Sequence, residues 1–290
     1  MNGEILIRRS VLFFPASRPD RYAKAVASGA DVVCIDLEDG VAPADKESAR
    51  ACAMRLLQER EINGTETLLR INDVQSAVGL EDVPAVVQLE RQPDALVIPK
   101  VDSAEQVHWI EQMLERHGLH TPLIPMVETA TGLAHAEEIA TSTDRVTALL
   151  FGGVDLSADL GAAIEWDALL YARGRIVHAA ALARIDALDM PFLHVSSADG
   201  LRVEAAAVSR MGFRGKIAIH PTQVPVIHEA FSPSEAEVAK ARRVIQAFEE
   251  SQERVVLLDG ALVERPVIKA AMRTVAIAER IAGHDTAPHR

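Results

Sequence analysis

Two cysteines in 290 residues cannot build a disulfide framework, and Cys34 lies inside an apolar run where it reads as a small core residue. A reducing, cytoplasmic compartment is therefore expected. Aromatic residues are scarce at 4%, so branched aliphatics and alanine must supply the packing, which suits helices laid on a parallel sheet. No apolar run approaches the length of a membrane span. "RRSVLFFPAS" has the outline of a twin-arginine signal, but its apolar run is too short and the charged "RPDR" comes at once. Long Lys/Arg runs are missing and the formal charge is −12, which argues against a nucleic-acid partner. An acidic chain still holds an anionic substrate where local Arg, Lys or a metal does the holding. No Gly-x-Gly-x-x-Gly comes after the first apolar run, so a dinucleotide fingerprint is absent. Histidine and cysteine do not cluster, which excludes an ordinary zinc site. His117 and His120 read as solvated residues near a helix end.

The chain does have rhythm. Hydrophobic residues make up 49%, enough for a sizeable core. Short apolar segments recur as "SVLFFP", "DVVCIDLED", "TLLRIN", "ALVIPKV", "PLIPMVET", "ALLFGGVDL", "PFLHV" and "GKIAIHP". Amphipathic stretches such as "DKESARACAMRLLQER" and "SAEQVHWIEQMLERHG" separate them. Parallel neighbours need crossover connections, so strand alternating with helix means a parallel sheet. Eight such units predict an α/β fold, a closed (β/α)8 TIM barrel over residues 1–225. The rhythm then changes. Residues 226–290 read as an extension: a helix capped by Ser232 with Pro233 and Glu235, a hairpin turning at Asp259-Gly260, and a last helix from near Pro266 to Gly283. This piece is too small to fold alone and is expected to pack on the barrel or on a neighbouring subunit. The final "GHDTAPHR" reads as frayed.

In a parallel barrel the chemistry gathers at the C-terminal ends of the strands. Those positions hold Asp36, Glu38 and Asp39 after the second strand and Arg70 and Asn72 at the third. Lys100 ends the fourth, Glu128 the fifth, Asp155 the sixth and His220 the eighth. A single Asp after a strand is ordinarily a turn former or a helix cap. Lys46 and Arg50 could also pair with the acidic nest and make it purely structural. The whole set resists that reading, because several carboxylates in one partly dry pocket each carry a desolvation cost of several kcal/mol. A divalent cation removes that cost, and two carboxylates with water and substrate oxygens suit Mg²⁺.

On these segments the chain resembles the CitE-like acyl-CoA lyases of the HpcH/HpaI aldolase superfamily. That family includes the citrate lyase β subunit, malyl-CoA lyase and citramalyl-CoA lyase. The resemblance runs through "RSVLFFPASRPDRYAKA", "GADVVCIDLEDGVAPADKESAR", "LLRIN", "VIPKV", "PMVETATGL", "LLFGGVDLSADLG" and "GFRGKIAIHPTQV" in order. It implies a Mg²⁺-dependent carbon–carbon lyase. Glu128 and Asp155 would be the metal ligands, and Arg70 would hold the substrate's carbonyl and carboxylate oxygens. Asp36 and Glu38 would lie beside the metal through its water ligands. Lys100 would bind substrate or support it, and Gly152 and Gly153 would allow close backbone approach at the pocket floor. Arg18, Arg21 and Lys24 are candidate contacts for the phosphates of an acyl-CoA, with a solvated helix start as the alternative.

One position departs from the family pattern. Several CoA-dependent members carry an aspartate in a C-terminal "MID-P" segment; here the stretch is "LVERP", with Glu264 in that place. Glutamate keeps the carboxyl for proton transfer but is longer by a methylene. The resemblance leaves three activities open: cleavage of citramalyl-CoA or malyl-CoA, action on a citryl carrier protein as a citrate lyase β subunit, and malate-synthase or thioesterase chemistry. A non-catalytic CoA-binding barrel predicts loss of the charged set, yet Arg70, Glu128 and Asp155 are all present. The family also implies a homo-oligomer, a trimer or a multiple of one.

Overall fold

The period-two alternation within each strand decides what the barrel encloses. The structure, a computed structural model, describes residues 6–62, 64–251, 256–259 and 261–286. Eight parallel strands close on themselves in sequence order: β1 (Ser10–Pro15), β2 (Val32–Asp36), β3 (Glu66–Arg70), β4 (Ala95–Ile98), β5 (Leu123–Val127), β6 (Ala148–Phe151), β7 (Asp186–Asp189) and β8 (Gly215–Ala218). Helices separate them, so the fold is a (β/α)8 barrel. Inside it one cluster gathers alternate residues, Val32 and Cys34 from β2, Leu68 from β3, Ile124 and Met126 from β5, and Ala148 and Leu150 from β6. Burial pushes the Cys34 thiol well up, as expected of a core residue. Continuing the same alternation two residues along each strand arrives at Asp36, Arg70, Glu128 and Gly152. Small and aliphatic residues therefore fill the floor, and the same face turns polar at the mouth.

The seventh strand departs from expectation. Residues 191–195, "PFLHV", form no strand, and Leu193 and Val195 are exposed. The strand is "DALD", whose two aspartates mask it in the sequence. Asp189 is tolerated there because charge meets charge. It accepts from Arg173 Nε at 3.0 Å and from Lys216 Nζ at 2.5 Å. Lys216 Nζ also donates to Glu204 Oε1 at 2.7 Å and to the Met190 carbonyl at 2.7 Å. The Arg173 guanidinium lies 4.9 Å from the Trp166 ring and 5.8 Å from Phe151. This complete ion cluster ties β7 and β8 to the helices Trp166–Ala183 and Ala198–Met211.

Residues 8–227 form one compact unit, and the chain from His228 onward belongs to a second. The second contains the helix Glu235–Glu250, an antiparallel pair β9 (Val256–Leu258) and β10 (Ala261–Val263), and the helix Arg265–Thr286. Its cap is Ser234, which bonds Glu237 in a reciprocal capping box, two residues later than expected at Ser232. Asp259 takes a left-handed φ of 52° in the turn and pairs with Arg243 at 2.7 Å. Gly260 lies outside the described residues. The last helix continues past Gly283 to Thr286, so the expected fraying there does not begin at the glycine. The unit has its own small core of Ala241, Val244, Val263, Ile268 and Ala271.

Candidate active site

Strand register brings the first charges together. Asp36 and Arg70 are direct partners across β2 and β3. Arg70 Nε and Nη2 donate to the two oxygens of Asp36 at 2.7 and 2.8 Å, a bidentate fork. Asp36 also accepts from the backbone N–H groups of Glu38 at 2.8 Å and Gly40 at 2.9 Å. Burial pushes its carboxyl up, but the Arg70 charge and the hydrogen bonds outweigh that and hold it below the usual range. Four donors thus occupy Asp36, whose work is to fix Arg70. The guanidinium rests 5.2 Å from the Phe13 ring, with Met126 Sδ beside it at 3.9 Å.

The remaining acids are less well supplied. Glu38 accepts from Lys100 Nζ through Oε1 at 2.8 Å, while its Oε2 lies 2.9 Å from Arg70 Nη1 without hydrogen-bond geometry. Glu128 accepts from the Lys100 backbone N–H through Oε1 at 2.8 Å. Its Oε2 is buried and has no hydrogen-bond partner among the described residues. Burial first, then the charges of Glu38 and Asp155, push the Glu128 carboxyl up to about 8. Burial and Asp39 raise Asp155 in the same direction. Asp155 was expected at a strand end and lies elsewhere: β6 stops at Phe151, and Asp155 sits in the first turn of the helix Gly153–Leu160. Gly152 is required here: a Cβ at that position would stand 2.3 Å from both Cβ and Oε2 of Glu128. A Cβ on Gly153 would meet Met190 Sδ at 2.3 Å.

Asp36, Arg70 and Asp155 line a pocket of about 380 Å³, whose walls also include Phe13, Arg21, Asp39 and Gly152. The donor set fits Mg²⁺. Two acids crowded together and raised by burial, with an oxygen that no donor reaches, are what a hard divalent cation relieves. Among the described residues no three acidic, histidine or cysteine side chains already converge as a metal cage. Glu128 and Asp155 are the residues that could hold such an ion, with water and substrate completing its shell.

The other expected residues fall elsewhere. Arg18 is exposed and forks onto Asp20 at 2.8 and 2.7 Å, and Lys24 is exposed. His220 is exposed and caps the turn Pro221–Gln223. Glu264 is exposed in the second unit, its carbonyl accepting from Ile268 N–H at 3.1 Å. Lys46 does not pair with the acidic side chains; its Nζ binds the carbonyls of Leu37 and Glu38 and Asn72 Oδ1, knitting the loop after β2. Arg50 turns away to Asp82 and Glu81. Phe13 and Met126 were missed because they read as core; their strand parity, two residues above Val11 and Ile124, is the signal that places them under the arginine.

The family described as HpcH/HpaI aldolase/citrate lyase matches residues 9–221. The chain is 33% identical over 293 residues to the mitochondrial citramalyl-CoA lyase of Homo sapiens, covering 94% of this chain and 86% of that protein. It is 36% identical over 279 residues to the (3S)-malyl-CoA thioesterase of Cereibacter sphaeroides, covering 94% and 95%. Among solved structures, the CitE protein of Mycobacterium tuberculosis in complex with magnesium, acetoacetate and coenzyme A matches with a TM-score of 0.80 at 34% identity. That match covers 93% of this chain and 97% of the other.

Proposed function

The chain belongs to the HpcH/HpaI aldolase/citrate lyase family, and from that premise we propose a Mg²⁺-dependent carbon–carbon lyase. It cleaves a β-hydroxyacyl-CoA, citramalyl-CoA or malyl-CoA, to acetyl-CoA and a 2-oxo acid. The observation that carries this reading is Glu128 Oε2, buried with no hydrogen-bond partner among the described residues, within reach of the Asp155 charge and packed against Gly152, which lines the pocket with Arg70 and Asp155. Relatives that act on CoA thioesters, and a solved neighbour holding magnesium with coenzyme A, support the same substrate class and metal.

Glu128 and Asp155 would hold the cation, which would supply Lewis-acid polarisation of the substrate's oxygens, a contribution of several kcal/mol. The chain's own residues do the rest. Arg70, held rigid by Asp36 and Phe13, keeps a hydrogen on Nη2 for a carboxylate or carbonyl oxygen of the substrate. Because the fork is fixed before substrate arrives, little ordering is left for the reaction itself. The hydroxyl proton leaves, the C–C bond breaks, and its electron pair passes to the acetyl thioester as an enolate. Asp39, half-exposed on the pocket wall, is open to receive that proton. Asp36 has no such freedom and acts through Arg70, while Glu38 flanks the metal pair. The resemblance assigns Glu264 the return of a proton to the enolate carbon in a neighbouring subunit's site. Arg21 on the pocket wall, with Arg18 and Lys24 nearby in sequence, provides positive charge for the CoA phosphates. The reading extends to a cytoplasmic homo-oligomer, a trimer or a multiple of one.

The test is to incubate purified protein with malyl-CoA and, separately, citramalyl-CoA, with Mg²⁺ or with EDTA. Metal-dependent release of glyoxylate or pyruvate with acetyl-CoA is the expected result and identifies the substrate. Release of free CoA with the intact hydroxy acid would make the protein a thioesterase. Turnover only of a carrier-protein thioester would make it a citrate lyase β subunit.

A further inference from the structure

Resting on the magnesium reading above, we propose that Lys100 is a positioning residue that keeps Glu38 out of the metal's coordination shell. The site then remains a two-carboxylate site with positions open to substrate. Lys100 bonds both acids: its backbone N–H donates to Glu128 Oε1 and its Nζ to Glu38 Oε1, each at 2.8 Å. To do both, its backbone adopts a left-handed φ of 51°, a region that residues other than glycine rarely occupy. Such strain persists where the surroundings over-determine it.

The need for a restraint is visible in the acids themselves. Glu38 Oε2 and Glu128 Oε2 are both buried and both lack a hydrogen-bond partner. Glu38 Oε2 is ion-paired with Arg70 Nη1 but accepts no hydrogen bond, and a carboxylate oxygen so held near a Mg²⁺ site is a ready additional ligand. Magnesium, however, keeps a strict octahedral shell, so each protein oxygen added removes a place for water or substrate. A substrate that chelates through hydroxyl and carboxylate needs two adjacent places. Lys100 grips one Glu38 oxygen, Arg70 Nη1 stands 2.9 Å from the other, and no three-acid cage forms among the described residues.

Mn²⁺ serves as the probe, because water-proton relaxation of the Mn²⁺-loaded protein reports how many exchanging waters the ion retains. In Lys100→Met the ion should lose about one coordinated water as Glu38 swings in, since six places are shared among ligands. Lys100→Arg keeps the cation and should match the wild type. The double variant Lys100→Met/Glu38→Gln removes the intruding carboxylate and should restore the wild-type water count. Lys100→Gly also lacks the ammonium but relieves the left-handed backbone, so it must behave as Lys100→Met does and covers the case of misfolding. An unchanged water count in both Lys100→Met and Lys100→Gly would overturn the proposal. Failure of the wild type to bind Mn²⁺ or Mg²⁺ would instead overturn the metal reading on which it rests.

Discussion

Behind β7 and β8, Arg173 and Lys216 meet Asp189 and Glu204, while at the barrel mouth Arg70 and Lys100 face Asp36, Glu38, Glu128 and Asp155. Both clusters are buried in the same fold, and both cost desolvation. In the first, each cation has a carboxylate and Lys216 adds a backbone carbonyl, so the charges close on themselves. In the second, acids outnumber the cations, two carboxylate oxygens find no donor, and Glu128 is pushed up to about 8. A balanced buried cluster specifies architecture. An unbalanced one persists only if something outside the chain completes it, which is the physical case for a cation.

The largest break in that comparison should come from Glu128→Gln. It removes a proposed metal ligand, so turnover should fall on the order of a thousandfold, equivalent to several kcal/mol of charge stabilisation. Above about pH 8, where the Glu128 carboxyl would otherwise carry charge, the metal-free variant should nevertheless gain thermal stability over the wild type, because one member of a repelling acidic group is gone. Melting with and without Mg²⁺, alongside the turnover assay, checks both halves. Lys216→Met should do the reverse in the balanced cluster. It leaves Asp189 buried with one partner fewer and should cost about 3–5 kcal/mol in denaturant unfolding, while Mg²⁺ affinity of the folded protein stays unchanged. If Glu128→Gln destabilised and Lys216→Met did not, the two clusters would have been read the wrong way round. A smaller effect is expected from Gly152→Ala. The added Cβ would crowd Glu128, and displacing a ligand without deleting it should weaken Mg²⁺ binding by about 10–100-fold, measurable by titration calorimetry.

Much of the mouth was legible because strand parity is a simple rule. Once β2, β3 and β5 were recognised as apolar runs, Asp36, Arg70 and Glu128 fell at their ends. The seventh strand was not legible: "DALD" carries too little apolar signal, and its charge is offset by Arg173 and Lys216, distant in sequence. Asp155 was found as a residue but placed on a strand rather than a helix, since Gly152-Gly153 marks a break that suits a loop, a strand end or a helix start equally well. Lys46 and Arg50 showed that charge near charge in sequence is no guide to partners; Lys46 chose backbone carbonyls and Arg50 chose Asp82. Nothing in the string "VIPKV" announces the left-handed turn at Lys100, whose hydrogen bonds go to side chains just past the ends of β2 and β5.

The unbalanced cluster makes a proton-linked prediction. Glu128 has its folded value raised from 4.5 to about 8, so in the metal-free protein it favours the neutral acid. Its contribution to metal-free stability is full below about 4.5 and is lost as pH rises through about 8. Magnesium needs the carboxylate, so its affinity should climb with pH over the same window and level off above it. The decisive measurement is calorimetric titration of Mg²⁺ into metal-free protein at about pH 7, in two buffers of different ionisation heat, from which protons released per ion are obtained. The account predicts saturable binding with release of close to one proton, and loss of both in Glu128→Gln. Absence of saturable binding, or binding that survives in Glu128→Gln with the same proton release, would contradict it.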